Sequence, residues 1–273
     1  MTEAAQTAVA PAALDSAADP PREGGNLRGR LLRGGSALTV AEGINALLRF
    51  IRVPIVARLV SPEDLGVAAT FALVVAFLEM LSDLGADKLL VQCPLQELSR
   101  LQRVAQLLAA GRGIFAGLVI FAFAEPLAWL FAIPAAASGF RWLALVPLCN
   151  GLCHQDPVRM QRELRFGAMI WTQMSAAVVA TVLAWPLALY FRDWRALLVS
   201  LLINSVLILV LTHLLSERRY GWKWDKPVAQ RLFRFGWPLL INGLLMFGIF
   251  QGDRLIIGLG QHLGRYTMAD LGF

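Results

Sequence analysis

The sequence predicts an all-α, polytopic helical membrane protein built as one six-helix lobe plus the start of a second, parallel-repeat lobe. Three observations carry that expectation. The 273 residues are 57% hydrophobic and only 16% charged, with a mean hydropathy of +0.59; a soluble domain carries about 25% charge. The apolar residues fall in repeated blocks, each long enough to cross a hydrocarbon layer ~30 Å thick. The basic residues behind the net charge of +6 lie between those blocks. That is where membrane topology puts them, so no nucleic-acid partner is expected.

The elements follow in order. Residues 1–30 are rich in Ala and Pro and lack the apolar core of a cleavable signal, so they read as a disordered cytoplasmic tail. Spans are predicted at 36–59, 66–91, 104–131, 140–156, 167–190, 196–215 and 236–259. The third block is too long for one straight helix, and Pro126 and Pro134 are expected to separate its membrane helix from a short surface stretch. The turns at 61–65 and 192–195 are short, which demands tight antiparallel hairpins.

Residues 31–215 thus form the N-terminal lobe. Residues 216–235 form a basic, amphipathic cytoplasmic linker whose Tyr220, Trp222 and Trp224 suit the headgroup level. After it the pattern restarts. Arg58-Leu59-Val60, a turn and Leu65-Gly66 find an echo in Gly258-Leu259-Gly260, a turn and Leu263-Gly264. An even number of helices separates them, as in transporters built from parallel repeats. Residues 236–273 then hold the first helix and the start of the second helix of an incomplete C-terminal lobe, and the chain is expected to be an N-terminal fragment.

Orientation follows from the Lys and Arg residues. With the N-terminus in the cytoplasm, 16 of the 25 lie in cytoplasmic segments and five outside. The other four, Arg49, Arg52, Arg112 and Arg254, lie inside apolar blocks. This asymmetry predicts a multi-pass protein with the N-terminus inside.

Polar groups within the blocks require a reason. Glu42, Asn45, Arg49 and Arg52 share one face of the first helix, within an arc of about 80° at ~100° per residue. A charge at mid-membrane costs from ~3 to over 10 kcal/mol when it faces lipid. The stripe is therefore expected to face either a wet cavity whose arginines attract an anion or an internal salt-bridge network. Glu79 and Asp83 follow at i, i+4 in the second helix. Glu79 falls near the depth of Arg49, as its counter-ion, a proton relay or a cation ligand. Asp253 and Arg254 sit about two turns from the end of the seventh helix, where they either line a cavity or pair with each other. Arg112 and Asn204 are lone polar residues in their helices and read as helix-helix hydrogen-bonding groups.

Cys149, Cys153 and His154 lack a fourth ligand and have apolar neighbours, so no metal is expected. No phosphate loop, His-Glu-x-x-His or nucleophile elbow is present, and neither a cofactor nor an enzymatic activity is expected.

Several runs resemble a known family. They are Gly35-Ser36-Ala37-Leu38-Thr39, Val56-Ala57-Arg58-Leu59-Val60-Ser61-Pro62-Glu63-Asp64-Leu65-Gly66, Phe77-Leu78-Glu79-Met80-Leu81-Ser82-Asp83-Leu84-Gly85, Arg162-Glu163-Leu164-Arg165-Phe166 and Gly252-Asp253-Arg254-Leu255-Ile256-Ile257-Gly258. Together with Leu263-Gly264-Arg265-Tyr266-Thr267-Met268-Ala269, they resemble the polysaccharide synthase/transport family of lipid-linked oligosaccharide exporters, within the multidrug/oligosaccharidyl-lipid/polysaccharide superfamily. The resemblance covers about residues 30–273.

It implies two six-helix lobes in a bacterial plasma membrane, with alternating access to a cationic central cavity. The implied cargo is a polyprenyl-pyrophosphate-linked oligosaccharide for exopolysaccharide, lipopolysaccharide O-antigen or capsule. Implied partners are the bilayer, a polysaccharide polymerase and glycosyltransferases. It carries cavity-facing positions only to Arg49, Arg52, Glu79, Asp83, Asp253 and Arg254. With the stripe residues Asn45 and Glu42 added, the expected substrate-binding residues are Asn45, Arg49, Arg52 and Arg254, and the expected coupling or counter-ion residues are Glu42, Glu79, Asp83 and Asp253. Two other readings stay open: a cation-coupled multidrug antiporter using Glu79 or Asp83, and a membrane scaffold that recruits polysaccharide enzymes through residues 216–235.

Overall fold

The computed structural model describes residues 24–82, 84–94, 96–260, 267 and 270. Among them all regular structure is helical: α1 (Gly24–Ala57), α2 (Pro62–Ser82), α3 (Ala86–Gln92), α4 (Leu98–Ala122) and α5 (Ala124–Leu130), then a 3₁₀ turn (Pro134–Ala136), followed by α6 (Ala137–Leu143), α7 (Leu145–Leu152), α8 (Asp156–Arg162), α9 (Gly167–Phe191), α10 (Arg195–Leu214) and α11 (Lys226–Gly260). Expectations for the tail before residue 24, for Asp83 and, apart from residues 267 and 270, for the eighth helix expected to begin after Gly264 lie outside the described residues.

Five helices, α2, α4, α9, α10 and α11, are long and apolar enough to cross a membrane. The chain is a polytopic helical membrane protein. At ~1.5 Å per residue, the 34 residues of α1 run about 51 Å, but Glu42, Arg49 and Arg52 interrupt its apolar stretch. The span expected at 140–156 is divided into α6 and α7, each too short to cross alone. Pro147 has no amide hydrogen for the carbonyl of Leu143, which leaves a rung of the helix unmade at the break, although α1, α9 and α11 pass through Pro54, Pro186 and Pro238 without dividing.

The span expected at 66–91 also breaks, into α2 and α3. Gly85 between them has φ 61°, and a Cβ at that position would lie 2.2 Å from Leu239 Cδ1. The left-handed backbone favours glycine, and a side chain there would also push the Leu239 methyl aside. The third block divides as its prolines predict, with α4 ending at Ala122 and α5 carrying Pro126. The linker expected over 216–235 is shorter in the structure, because α11 already begins at Lys226. The Asp225 side chain accepts from the Val228 amide at 3.4 Å, and Ala229 and Leu232 bury against α3 and α4. Those two contacts make the basic segment helical.

Ser61-Pro62-Glu63-Asp64 starts α2 by capping. Ser61 Oγ accepts from the Asp64 amide at 3.1 Å and donates to the Asp64 carboxylate at 2.8 Å, while Pro62 occupies the first helical position.

One end of the bundle gathers the start of α1, the end of α2, the starts of α4, α9 and α11, and α8; it holds most of the Lys and Arg and is called the basic end. A core of Leu89, Leu90, Leu101, Val104 and Leu232 lies there. The opposite end is closed by Phe71, whose ring meets Phe140 and Trp194 edge-on at 4.9 Å and 5.5 Å. Between the ends, α4 and α7 cross with their main chains in contact. A Cβ on Gly113 would lie 2.4 Å from the Pro147 carbonyl, and one on Gly151 would lie 2.6 Å from that of Ala109. Small residues permit this approach, as is common between membrane helices.

Candidate functional site

A polar cavity of about 780 Å³ opens among α2, α3, α4, α7, α8, α9, α10 and α11 towards the basic end. That volume lies in the ~300–1,000 Å³ range of small-molecule sites. Its charged lining consists of Glu79, Asp87, Lys88 and Arg112, with Asn150, Gln155, Gln161, Gln173 and Asn242 among the uncharged polar groups and His154 at the margin. Asn150 Nδ2 donates to Glu79 Oε1 at 2.6 Å, which joins α7 to α2 across the cavity wall. Gly243 lets α11 close the far side, since a Cβ there would meet the Met80 carbonyl at 2.8 Å.

Below the cavity the wall is an ionic latch. Asp156, fully buried, accepts from Arg159 Nε at 2.6 Å, Gln102 Nε2 at 3.1 Å and the amides of Glu217 and Arg218 at 2.8 Å and 3.2 Å. Burial alone would push its carboxyl up, but these donors, Arg159 foremost, hold it down at about 2. Arg159 also reaches Glu163 and Glu217, and Arg165 binds Glu217 from the other side. Arg162 donates to the Cys93 carbonyl, and a Cβ on Gly34 would collide with the Phe166 ring at 2.7 Å. The run Arg162-Glu163-Leu164-Arg165-Phe166 therefore ties α8 to α3, to the 217–218 segment and to α1.

Of the residues expected from the sequence, Glu79 lines the cavity, but its hydrogen bond runs to Asn150. Its expected partner Arg49 is exposed and has no ion pair among the described residues. The reason is packing: α1 lies along α9, where Val56 and Val60 meet Ala184 and Ala188. The α9-facing stripe includes Ala41 and Asn45, both buried, and Asn45 Oδ1 has no partner among the described residues. Arg52 is half-buried beside it and Glu42 is exposed. The polar stripe thus divides between an interface and an open face, and among the described residues none from α1 lines the cavity. On α11, Asp253 and Arg254 are exposed and do not pair with each other; Arg254 reaches Gln251 at 3.4 Å.

Arg112 was legible only as a lone polar residue, yet it enters the cavity beside Lys88. Its neighbours there come from helices distant in sequence. Asn242, eleven residues before Asp253 on α11, lines the cavity, whereas Asp253 does not.

Fold and site together define a polytopic α-helical membrane protein with a charged compartment inside its bundle. Residues 55–273 match the family described as polysaccharide biosynthesis protein, and the chain belongs to that family. It is 28% identical over 220 residues to the succinoglycan biosynthesis transport protein ExoT of Rhizobium meliloti (strain 1021). The match takes in 80% of this chain and 43% of that relative, so the chain spans less than half of the relative's length. No solved structure matches.

Proposed function

We propose that this chain forms a lobe of a bacterial inner-membrane exporter that passes a polyprenyl-pyrophosphate-linked oligosaccharide towards the cell surface, with the basic end in the cytoplasm. The supporting observation is the 780 Å³ cavity, whose lining combines the cations Arg112 and Lys88 with Asn150, Gln173 and Asn242, groups suited to phosphoryl oxygens and to hydroxyl groups. Guanidinium binds phosphoryl oxygens through two parallel hydrogen bonds, which suits it to the diphosphate. Glu79 and Asp87 serve as the counter-ions that balance Arg112 and Lys88 in the cavity. The family and the relative's role in succinoglycan transport favour a saccharide cargo.

In this reading residues 31–215 make one lobe and the helix from 236 belongs to the next. The exposed Arg49, Asp253 and Arg254 then face the second lobe and not lipid, where each charge would cost ~3 kcal/mol or more. Arg52 and Asn45 act at the α1–α9 seam beside that path, and Glu42 balances charge on the open face of α1. A polymerase and glycosyltransferases would act before and after transport.

The test is export of surface polysaccharide in cells deleted for their own copy and supplied with Arg112→Gln. Losing a charge-assisted contact to the diphosphate should reduce export about tenfold at unchanged protein level. Wild-type export by that variant would remove the cavity from the mechanism.

A further inference from the structure

A second, smaller pocket lies at the basic end, on the other side of His154 from the central cavity. It encloses about 150 Å³ between the first turns of α4 and the 218–221 segment, and Arg103, Arg218, Arg219 and His154 line it together with Ser99 and Gln102. None of its lining residues is acidic.

The nearby carboxylates are already occupied. Asp156 receives Arg159, Gln102 and two backbone amides, and Glu217 is held by Arg159 and Arg165. The three arginines at the pocket gain little from them. Arg103 Nε is shielded from solvent with no hydrogen-bond partner, and Arg219 has no ion pair, among the described residues. Arg218 makes only a long contact, 3.4 Å, to Gln102 Oε1 through its guanidinium.

His154 supplies an independent sign. It is 5% exposed, and its Nδ1 accepts the Asp156 amide at 3.0 Å. An imidazole that accepts at Nδ1 carries its hydrogen on Nε2. That Nε2–H is buried, and its one nearby acceptor among the described residues, the Arg218 carbonyl, does not make a well-formed hydrogen bond with it. Leaving such a buried donor poorly satisfied is costly, so an acceptor from outside the chain would be favoured there. The segment is held over the pocket by Tyr220, which stacks on His213 at 5.1 Å and meets His154 at 5.4 Å.

We propose that Arg103, Arg218, Arg219 and the buried His154 form a phosphoryl-binding site, separate from the central cavity. Three guanidinium groups and an imidazole N–H converging without a carboxylate suit a multivalent oxyanion better than a single carboxylate, because each phosphoryl oxygen takes its own donor. Trp222 and Trp224 follow directly and are exposed, as befits the headgroup level of a bilayer. The phosphoryl group comes either from an anionic lipid headgroup or from a soluble phosphate or diphosphate. The site stands whether or not the chain exports saccharide.

The experiment uses the full chain in phosphatidylcholine nanodiscs. Inorganic pyrophosphate is titrated by calorimetry, and retention of added phosphatidylglycerol is measured by native mass spectrometry. Arg103→Gln and Arg219→Gln are compared with Arg231→Gln, a basic-end arginine that pairs with Glu97 outside the pocket. Arg219 is exposed, so that variant should keep the fold, as gel filtration would verify. The site predicts saturable binding of one probe that weakens about tenfold in the two pocket variants and not in Arg231→Gln. Pyrophosphate binding assigns a soluble source, and phosphatidylglycerol retention alone assigns a lipid headgroup. Binding of neither probe, or equal weakening in all three variants, would overturn the proposal.

Discussion

Asp156 shows what four donors do to one carboxylate. Its folded-state value of about 2 lies below the ordinary 3.8, so ionisation favours folding. The stabilisation is fully present above pH ~4 and is lost as pH falls towards 2, and it amounts to about 2 kcal/mol. Thermal unfolding in detergent should therefore show a falling midpoint from pH 4 to pH 2. In Asp156→Asn that slope should flatten, and stability at pH 7 should fall by about 1–3 kcal/mol, because the buried Arg159 loses its buried carboxylate partner while keeping Glu163 and Glu217. An identical pH profile in the variant would refute the assignment. Nothing in the local sequence Gln155-Asp156-Pro157 reveals this role, because the donors come from α4, α8 and the 217–218 segment. Charges within spans were easy to see; which helix each one faces was not. Arg49 and Glu79 match in depth, yet α1 packs on α9.

Among the elements, those with long uninterrupted apolar blocks were legible: α2, α4, α9, α10 and the body of α11 follow the hydropathy. The breaks at Gly85 and Pro147 were harder to place. Each lies inside an apolar block, where one residue's backbone chemistry contributes to the break. The α4–α7 crossing depends on such a choice too. Leu at position 151 would place side-chain atoms inside the Gly113 main chain, which lies 2.6 Å from an ideal Cβ. We expect Gly151→Leu to cost at least about 1–3 kcal/mol of overpacking and to lower the thermal midpoint. Gly167→Leu, at a site with open space around it, should leave the midpoint unchanged. Equal midpoints for the two variants would contradict the crossing.

Across the whole molecule, the helical membrane class was evident from composition and periodicity, and the family from scattered runs of residues. The cavity was not, because it is the shared property of eight helices. Its orientation can be tested directly. With the native cysteines replaced, a cysteine at Lys223 should react with an impermeant maleimide only in inverted vesicles. A cysteine at Asp193 should react only in intact cells. The reverse pattern would invert the proposed topology.

The glycine crossing also constrains any motion of this bundle. Where two main chains touch, no rotamer change can absorb a shift, so α4 and α7 are obliged to travel as one rigid strut. Widening of the compartment must then come from the helices arranged around that strut, with Asn150 carrying Glu79 at its edge.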